Sequence, residues 1–257
     1  MRTVIQIYPK KMAIPYKASA KSKKEQVSTM FNAIAHRYDF LNHFLSLGID
    51  KCWRRKAVNE MKPYHPSVIL DVASGTGDFA IAAMRLKPQK VQCIDISEGM
   101  LEIGKQKMKG KGLDSVVQLE VGDCENLRFE TSTFDAITVG FGVRNFENLE
   151  KGLAEMLRVL KPGGVAVILE FSKPKGFVLA KLFTFYFKRI LPSIGAFFSK
   201  DKSAYTYLPE SVQEFPSGSN MDVILRNGGF VNTKYRALTL GIATIYVAEK
   251  TNKHLRI

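Results

Sequence analysis

The stretch that most constrains the fold is residues 68–80, VILDVASGTGDFA, where an apolar run leads directly into a glycine-rich turn. The apolar run suits a buried strand, and Gly75-Thr76-Gly77 suits a sharp turn followed by a helix start. Strand, turn and helix in this order begin a βαβ unit, whose strands are parallel. The segment therefore predicts an α/β fold with a ligand at the carboxyl end of this strand.

The rest of the chain repeats this alternation. Further strands are predicted at 91–96, 116–123, 134–142 and 165–172, with helices at 78–87, 97–108 and 148–160. After residue 172 the alternation breaks, and a helix near 220–230 precedes two strands that meet around Gly241. We therefore predict a doubly wound, mostly parallel seven-stranded sheet with a C-terminal antiparallel hairpin and helical cap segments.

The composition of the chain and the lack of a recognisable linker predict one folding unit. Residues 27–250 are expected to form a single domain, with a helical N-terminal segment at 27–62 and a lid insertion at 173–217. Residues 1–26 carry basic and small side chains and few acids, which suits a disordered leader or, as the alternative, a transit peptide. Residues 251–257 are expected to be a tail.

The charge balance points to an anionic partner. The chain has 38 Lys and Arg against 24 Asp and Glu, a net charge of +14, which suits a membrane surface, nucleic acid or a phosphorylated substrate. Cys52, Cys93 and Cys124 lie far apart and form no metal-ligand cluster, so neither a disulfide framework nor a metal is expected. These features suit a cytoplasmic protein.

No stretch of the sequence is apolar enough to cross a membrane. The most apolar one, residues 177–198, is interrupted by Lys181, Lys188 and Arg189, short of the roughly 20 apolar residues that a span needs. Its apolar side chains recur at helical spacing, which favours an amphipathic helix on anionic lipid or a lid packed on the core. The first alternative predicts peripheral association with the inner face of the membrane.

The glycine turn fits two kinds of ligand. Gly75-Thr76-Gly77 with Ala80 matches the dinucleotide pattern, and an acid about 20 residues later, Asp95, suits a ribose in either case. Asp71, just before the turn, disfavours a pyrophosphate and favours a ligand with a cationic amino-acid end. S-adenosylmethionine (SAM) is such a ligand, so we predict SAM as the cofactor.

The SAM interpretation gives each residue at the strand ends a role. The glycines allow close backbone approach, Asp95 accepts the ribose hydroxyls, and Asp123 faces the adenine amino group, with Cys124 contributing its backbone. For Asp95 or Asp123 alone, a turn or helix cap explains the residue equally well. Their combination with Asp71 and the terminal hairpin favours a methyltransferase.

Several longer segments resemble one family of methyltransferases. They include MFNAIAHRYDFLNHFLSLGIDKCWRR, LDVASGTGD, FGVRNFENLEKGLAEMLRVLKPGGVAVILEFSKP, SAYTYLPESVQEFP and LTLGIATIY. In this order they resemble the quinone-biosynthesis C-methyltransferases that act on demethylmenaquinol or a polyprenyl benzoquinol, over roughly residues 27–249. The resemblance implies donor-site residues Thr76, Asp95, Asp123, Cys124 and Gly140. Ser74 and Gly140 depart from the frequent family residues, and Gly140 removes a serine hydroxyl.

The resemblance also implies where the quinol ring is methylated. Arg144 is expected to stabilise the developing oxyanion, with Asn145 orienting the ring, although an ion pair that organises the loop is the alternative for Arg144. His36 and Asp39 are rival proton acceptors. Tyr38, Tyr205 and Tyr207 are expected to line the substrate pocket with Arg144.

The expected partners are a prenylated quinol and an anionic membrane surface, with a homodimer as a further option. Demethylmenaquinol is favoured over the benzoquinol. A nucleic-acid methyltransferase would carry an Asn-Pro-Pro-Tyr motif or a catalytic cysteine after the fourth strand, where this chain has residues 139–145, VGFGVRN. A SAM-binding module without catalysis is the other alternative, and the intact acids argue against it.

Overall fold

The computed structural model describes residues 13–46, 48–174 and 203–252, and its strands form one sheet. The strands are β1 Val68–Val72, β2 Lys90–Asp95, β3 Val117–Val121, β4 Phe134–Gly140, β5 Leu160–Phe171, β6 Val231–Leu238 and β7 Ala243–Glu249. Their order is β3-β2-β1-β4-β5-β7-β6, with β7 antiparallel to both neighbours and all other pairs parallel. The predicted doubly wound sheet with its terminal hairpin is confirmed.

Helices cover both faces of the sheet. They are α1 Lys23–Leu45, α2 Ile49–Met61, α3 Asp78–Ala83, α4 Glu98–Gly110, α5 Leu149–Val159, α6 Ser203–Glu214 and α7 Ser219–Asn227. Side chains of α2 and α3 pack in one core, and those of α5 and α7 pack in the core on the opposite face. Along β5, Ala166 and Ile168 belong to one core and Val167 and Leu169 to the other. This alternation explains why β5 is apolar throughout.

The strand β5 begins earlier than the sequence predicted. The prediction ended a helix at Leu160 and began the strand at Val165, but Leu160 already has extended dihedral angles and pairs with Phe134. The register then shifts, and Val165 pairs with Ala136. The residues between them make a turn in which Gly163 has a φ of 76°. Strand pairing therefore starts before the glycine turn that marks the boundary in the sequence.

The structure differs from the predicted leader over residues 13–26. Ala13 is buried and packs with Val27 and Tyr207 in a small third core, and the Tyr16 amide donates to Gln26 Oε1 at 2.8 Å. These contacts order the segment before α1, which begins at Lys23 instead of near residue 27. Residues 1–12 and 253–257 lie outside the described part of the chain.

The predicted amphipathic segment with Lys181, Lys188 and Arg189 falls within residues 175–202, which also lie outside the described residues. Of the predicted lid insertion, the structure describes residues 173–174 and 203–217, the latter including α6. Within the described ranges, no helix combines the length and apolar character needed to cross a bilayer.

Candidate active site

A cavity opens at the carboxyl ends of β1, β2 and β4. Its wall includes the strand ends, the 122–125 and 140–147 loops and the inner face of α1. The lining residues are Lys24, Val27, Phe31, Tyr38, Ala73, Gly75, Asp95, Ile96, Met100, Gly122, Asp123, Cys124, Glu125, Gly140, Phe141, Gly142, Asn145, Phe146 and Glu147. The lining includes four acids, which we call the acidic wall, and four aromatic side chains, which we call the aromatic wall. The acids are Asp95, Asp123, Glu125 and Glu147, and the aromatic residues are Phe31, Tyr38, Phe141 and Phe146.

Sharp backbone turns after β1 and β4 shape this cavity. Ala73 and Phe141 have φ values of 51° and 58°, in the left-handed region that non-glycine residues rarely adopt. A Cβ on Gly142 would lie 2.6 Å from the Ala73 Cβ, so only glycine fits where the two turns meet. Such strain concentrates at functional sites, where the surrounding structure enforces it.

Asp95 connects the two loops at the centre of the cavity. One carboxylate oxygen accepts the Gly75 amide and the other accepts the Ser97 amide, both at 2.8 Å. The side chain is buried, and this burial raises the pKa of its carboxyl group. Gly75 has a φ of 56°, which lets its amide turn toward Asp95. The two predicted residues therefore lie together on the cavity wall.

Asp123 is paired with a cation that the sequence did not indicate. Lys24, from the first turn of α1, places its Nζ 2.7 Å from Asp123 and 3.5 Å from Glu125. Glu125 is buried and also accepts the amides of Glu147 and Asn148. The predicted adenine-facing acid thus lies on the cavity wall with part of its charge compensated by Lys24.

Cys124 and Gly140 also lie where the sequence predicted them, on the cavity wall. Burial raises the pKa of the Cys124 thiol well above its usual value, so the thiol is neutral and unsuited to nucleophilic chemistry. A Cβ on Gly140 would lie 2.7 Å from the Phe79 ring. Packing against Phe79 therefore requires glycine at this position.

The other side of the glycine turn is occupied by protein contacts. The Thr76 hydroxyl donates to Asp39 at 2.6 Å and accepts from Lys107 at 2.9 Å. Lys107 also pairs with Asp39 at 2.5 Å. Gly77 ends the turn with a φ of 81°. None of these four residues lines the cavity, so Thr76 and Asp39 connect the turn to α1 and α4 instead.

Asp71 lies in the sheet beneath the cavity and does not line it. The side chain is fully buried, Oδ1 accepts the Thr138 hydroxyl at 2.7 Å, and Oδ2 has no partner among the described residues. Burial raises the pKa of the carboxyl group to about 7. Asp71 therefore lies behind the lining, and a molecule in the cavity would not contact its side chain directly.

The raised pKa of Asp71 gives a testable pH dependence. Unfolding lowers this pKa toward its usual value, so the native state binds an extra proton between about pH 4 and pH 7. The stability that this proton contributes is present at low pH and lost as the pH rises through the native pKa. Asp71→Asn mimics the neutral acid. As the pH rises from about 4 to about 7, the free energy of unfolding of the variant should therefore increase relative to that of the wild type. Urea unfolding at several pH values measures the difference, and exposed Asp114→Asn is the control. A pH-independent difference would contradict the assignment.

Arg144 lies behind the cavity wall in a buried ion pair. It belongs to a short 3-10 helix, Val143–Asn145, and its Nη1 lies 2.7 Å from Glu170 Oε1. Nη1 also donates to the Phe141 carbonyl, and the guanidinium stacks 5.5 Å from the Phe171 ring. Arg144 does not line the cavity, so the geometry matches the ion-pair alternative and positions the loop that does.

Asn145, the next residue, faces the cavity. Its Oδ1 accepts the Tyr207 hydroxyl at 3.0 Å, so Tyr207 orients the amide group from behind. Tyr38 lines the cavity from α1, and burial raises the pKa of its phenol to about 12. His36 is exposed on α1 away from the lining, and the Tyr205 side chain lies outside the described part of the chain. The predicted set is thus only partly brought together.

Three residues of the site escaped sequence reasoning. Lys24 gave no signal, because a lysine in a basic N-terminal stretch resembles any solvated charge. Glu125 stands two residues after Asp123 and could have been added to the strand-end acids. Glu170 gave the clearest signal, since a carboxylate within the apolar strand VAVILEF requires a buried partner.

A mostly parallel sheet in this order, closed by an antiparallel hairpin and bearing an acid-lined cavity beside a glycine turn, defines a Rossmann-like class I SAM-dependent methyltransferase. The sequence profile of the ubiE/COQ5 methyltransferase family matches residues 19–250. The chain therefore belongs to the ubiE/COQ5 methyltransferase family.

Individual relatives agree with this assignment. The chain is 50% identical over 244 residues to a demethylmenaquinone methyltransferase of Bacteroides fragilis, covering 95% of this chain and 99% of the relative. It is 46% identical over 230 residues to the ubiquinone/menaquinone biosynthesis C-methyltransferase UbiE of Geobacter sulfurreducens, covering 89% and 90%. A solved SAM-dependent methyltransferase of Thermotoga maritima, described as a possible histamine N-methyltransferase, matches at a TM-score of 0.63 and 19% identity. It covers 87% of this chain and 99% of that chain, and supports the fold alone.

Proposed function

We propose that the protein methylates a ring carbon of a prenylated quinol, with demethylmenaquinol as the favoured substrate. The observation that carries this proposal is that one cavity is lined both by acids, among them Asp95, and by aromatic rings, among them Phe141. The similarity over nearly the full length of a relative named demethylmenaquinone methyltransferase supports the same substrate.

The acidic wall fits SAM, which supplies a methyl group bound to a positively charged sulfur. Asp95 is placed to accept ribose hydroxyls, and Gly75 and Gly140 line the cavity beside it. Asp123 and Glu125 outnumber Lys24, so the wall keeps a negative charge that suits a cationic donor. We assign Asp95, Asp123, Cys124, Gly75 and Gly140 to donor binding.

Thr76, Gly77 and Asp71 form the layer behind this wall. They support the turn through the Thr76–Asp39 bond and the buried Asp71 carboxyl. We assign them to positioning the turn, because ligand contact would require the backbone of the turn to shift. Asp39 is held by Lys107 and Thr76, so its availability as a proton acceptor depends on breaking that pair.

The aromatic wall suits the quinol ring. Phe31, Phe141 and Phe146 offer apolar faces, and Tyr38 remains protonated near neutral pH, so it donates a hydrogen bond to a quinol oxygen. The Asn145 amide nitrogen is a second donor, because Tyr207 donates to the amide oxygen and the Phe141 carbonyl, at 3.4 Å, uses only one of the two N–H groups. These donors stabilise negative charge on the ring oxygen as its proton leaves.

The reaction balances without a further reactant. On transfer, the ring carbon would bond to the methyl group and the bond between the methyl group and sulfur would break, with sulfur keeping that electron pair and leaving as a neutral thioether. The hydroxyl proton would pass to solvent, and the proton of the ring carbon would return through water to the ring oxygen, so one proton is released overall. Two hydrogen-bond donors and three aromatic faces fix the ring relative to the methyl donor, and such positioning supplies much of the rate. His36 is exposed, so it would exchange protons with solvent instead of within the cavity.

The substrate is tested with two quinols offered to the purified protein. We expect methylation of reduced demethylmenaquinol to be faster than methylation of reduced 2-polyprenyl-6-methoxybenzoquinol, measured by mass spectrometry of the extracted quinones. Accumulation of the demethylated naphthoquinone in cells that lack the protein would agree. Faster transfer to the benzoquinol, which the name of the Geobacter sulfurreducens relative also allows, would reassign the substrate. Transfer to neither would refute the proposal.

A prenylated quinol is held in a bilayer, so we also propose that the protein associates peripherally with the inner face of the membrane. The net charge of +14 supports association with anionic lipid, since each exposed Lys or Arg near such a surface is attracted to it.

A further inference from the structure

The turn between β6 and β7 exposes a leucine that its backbone disfavours. Leu240 is 73% exposed, and its φ of 56° and ψ of 22° lie in the left-handed region. Thr239, before it, also has a positive φ, of 45°. Asn or Gly suits this conformation better than leucine, and an exposed leucine contributes no burial to the fold. Folding stability therefore gives no reason for leucine at position 240.

The turn is held firmly in place. Trp53 Nε1 donates to the Thr239 hydroxyl at 2.7 Å, and the Ser172 hydroxyl donates to the Gly241 carbonyl at 2.7 Å. The Ser172 amide donates to the Ile242 carbonyl at 2.9 Å. Leu240 is consequently exposed to solvent on a turn that these hydrogen bonds fix in place.

This turn lies on the same edge of the sheet as the cavity. β7 begins at Ala243 opposite Phe171, the last residue of β5, so the turn lies at the carboxyl end of β5. Trp53, which braces the turn, packs 6.2 Å from the cavity residue Phe141. Ile49, one helical turn before Trp53, is 39% exposed at the start of α2. Two exposed apolar side chains therefore mark the cavity edge.

A cationic surface extends from these side chains. The exposed cations of α2 and of the residue after it are Lys51, Arg55, Lys56 and Lys62, and β6 adds Lys234 and Arg236. Of the acids in these two elements, Asp50 is buried with Arg54, and Glu60 pairs with both Lys234 and Arg236. The outer surface of α2 and β6 thus carries an uncompensated positive charge.

We propose that the β6–β7 turn and the outer surface of α2 form a docking surface for an anionic lipid bilayer, into which Leu240 inserts. An apolar side chain among surface cations matches the headgroup boundary of such a bilayer. Nucleic acid would bind the cations through its phosphates, but this contact does not require an exposed leucine on a fixed turn. The inference rests on the proposed function, because docking here brings the cavity edge toward a membrane-held quinol.

The test is sedimentation of the full-length protein with phosphatidylcholine vesicles, with and without phosphatidylglycerol. We expect Leu240→Asn to weaken binding to both vesicles about tenfold or more, since one buried leucine side chain is lost. Lys51→Gln and Arg55→Gln should each weaken binding about fivefold, and only when phosphatidylglycerol is present. Val223→Asn is the matched control, because Val223 is 38% exposed on α7, whose buried residues pack on the opposite face of the sheet.

A stability measurement separates lost docking from misfolding. The melting temperature of Leu240→Asn should equal or exceed that of the wild type, because Asn tolerates the left-handed conformation. The proposal is overturned if the wild type does not bind phosphatidylglycerol vesicles or if Leu240→Asn binds them normally. It is also overturned if Val223→Asn weakens vesicle binding as much as Leu240→Asn does. Duplex DNA binding that depends on Lys51 and Arg55 but not on Leu240 would assign the surface to nucleic acid.

The docking surface and the proposed function can be tested independently of each other. Methylation of a short-chain demethylated naphthoquinol, supplied in solution without vesicles, reports on the reaction alone, and Leu240→Asn should retain it. Normal turnover without vesicle binding removes the docking surface and leaves the function. Vesicle binding that requires Leu240, with no turnover on any quinol, supports the surface and refutes the function.

Discussion

Replacing Asp95 with alanine is expected to lower the affinity for SAM by at least about 100-fold. A carboxylate that accepts two ribose hydroxyls contributes about 1.5–3 kcal/mol for each charge-assisted bond, and two such bonds correspond to roughly 10²–10⁴ in the dissociation constant. The same carboxylate accepts the Gly75 and Ser97 amides, so its loss also frees the loops on which the donor rests. Isothermal titration calorimetry measures the affinity directly.

The control for Asp95 must separate the charge from the loop structure. Asp95→Asn keeps one acceptor oxygen for a loop amide but loses the carboxylate, and it should bind SAM almost as poorly as the alanine variant. Exposed Asp114→Ala, outside the cavity, should bind normally. Unchanged affinity in a folded Asp95→Ala protein would remove Asp95 from the donor site.

Replacing Arg144 is expected to separate stability from turnover. Arg144→Ala leaves the fully buried Glu170 carboxylate without its cation, and breaking such a pair costs about 3–5 kcal/mol. At about 2–4 °C for each kcal/mol, the melting temperature should fall by roughly 10 °C. Differential scanning calorimetry measures this shift, and Arg128→Ala, an exposed arginine paired with Glu120, should change it little.

Arg144→Lys keeps the charge and loses the rigid guanidinium, whose Nη1 bonds both Glu170 and the Phe141 carbonyl and whose plane stacks on Phe171. The loop that carries Phe141 and Asn145 would then shift, and a displacement of about 1 Å can lower turnover by 10²-fold. Donor affinity should change little, so the loss should appear in kcat. If the folded fraction of this variant turns over normally, Arg144 contributes to stability alone and does not position the loop for turnover.

Much of the fold followed from local patterns. Apolar runs of strand length alternated with helical periodicity through residue 172, and the position of Asp95 at the end of the second strand placed it beside Gly75. These predictions succeeded because parallel strands bring their carboxyl ends to one edge, whatever the intervening helices contain. The terminal hairpin followed from a different pattern, two adjacent apolar runs joined tightly around Gly241.

The contact partners of individual side chains could not be predicted from local sequence patterns. Arg144 and Asn145 are adjacent in the sequence, yet one faces Glu170 in the core and the other faces the cavity. A 3-10 turn after β4 decides which side chain points where, and its direction depends on packing against β5 and α6. Thr76 likewise bonds to α1 and α4 instead of facing the cavity.

The sequence by itself determined the α/β class, the glycine turn and the acids at the strand ends, because each is encoded within a few neighbouring residues. Only the tertiary structure decided that Lys24 closes on Asp123, that Glu170 holds Arg144, and that residues 13–22 pack before α1. The physical reason is distance along the chain. Lys24 and Asp123 are brought together by the docking of a helix, and periodicity records which face of a helix is buried without recording what it meets.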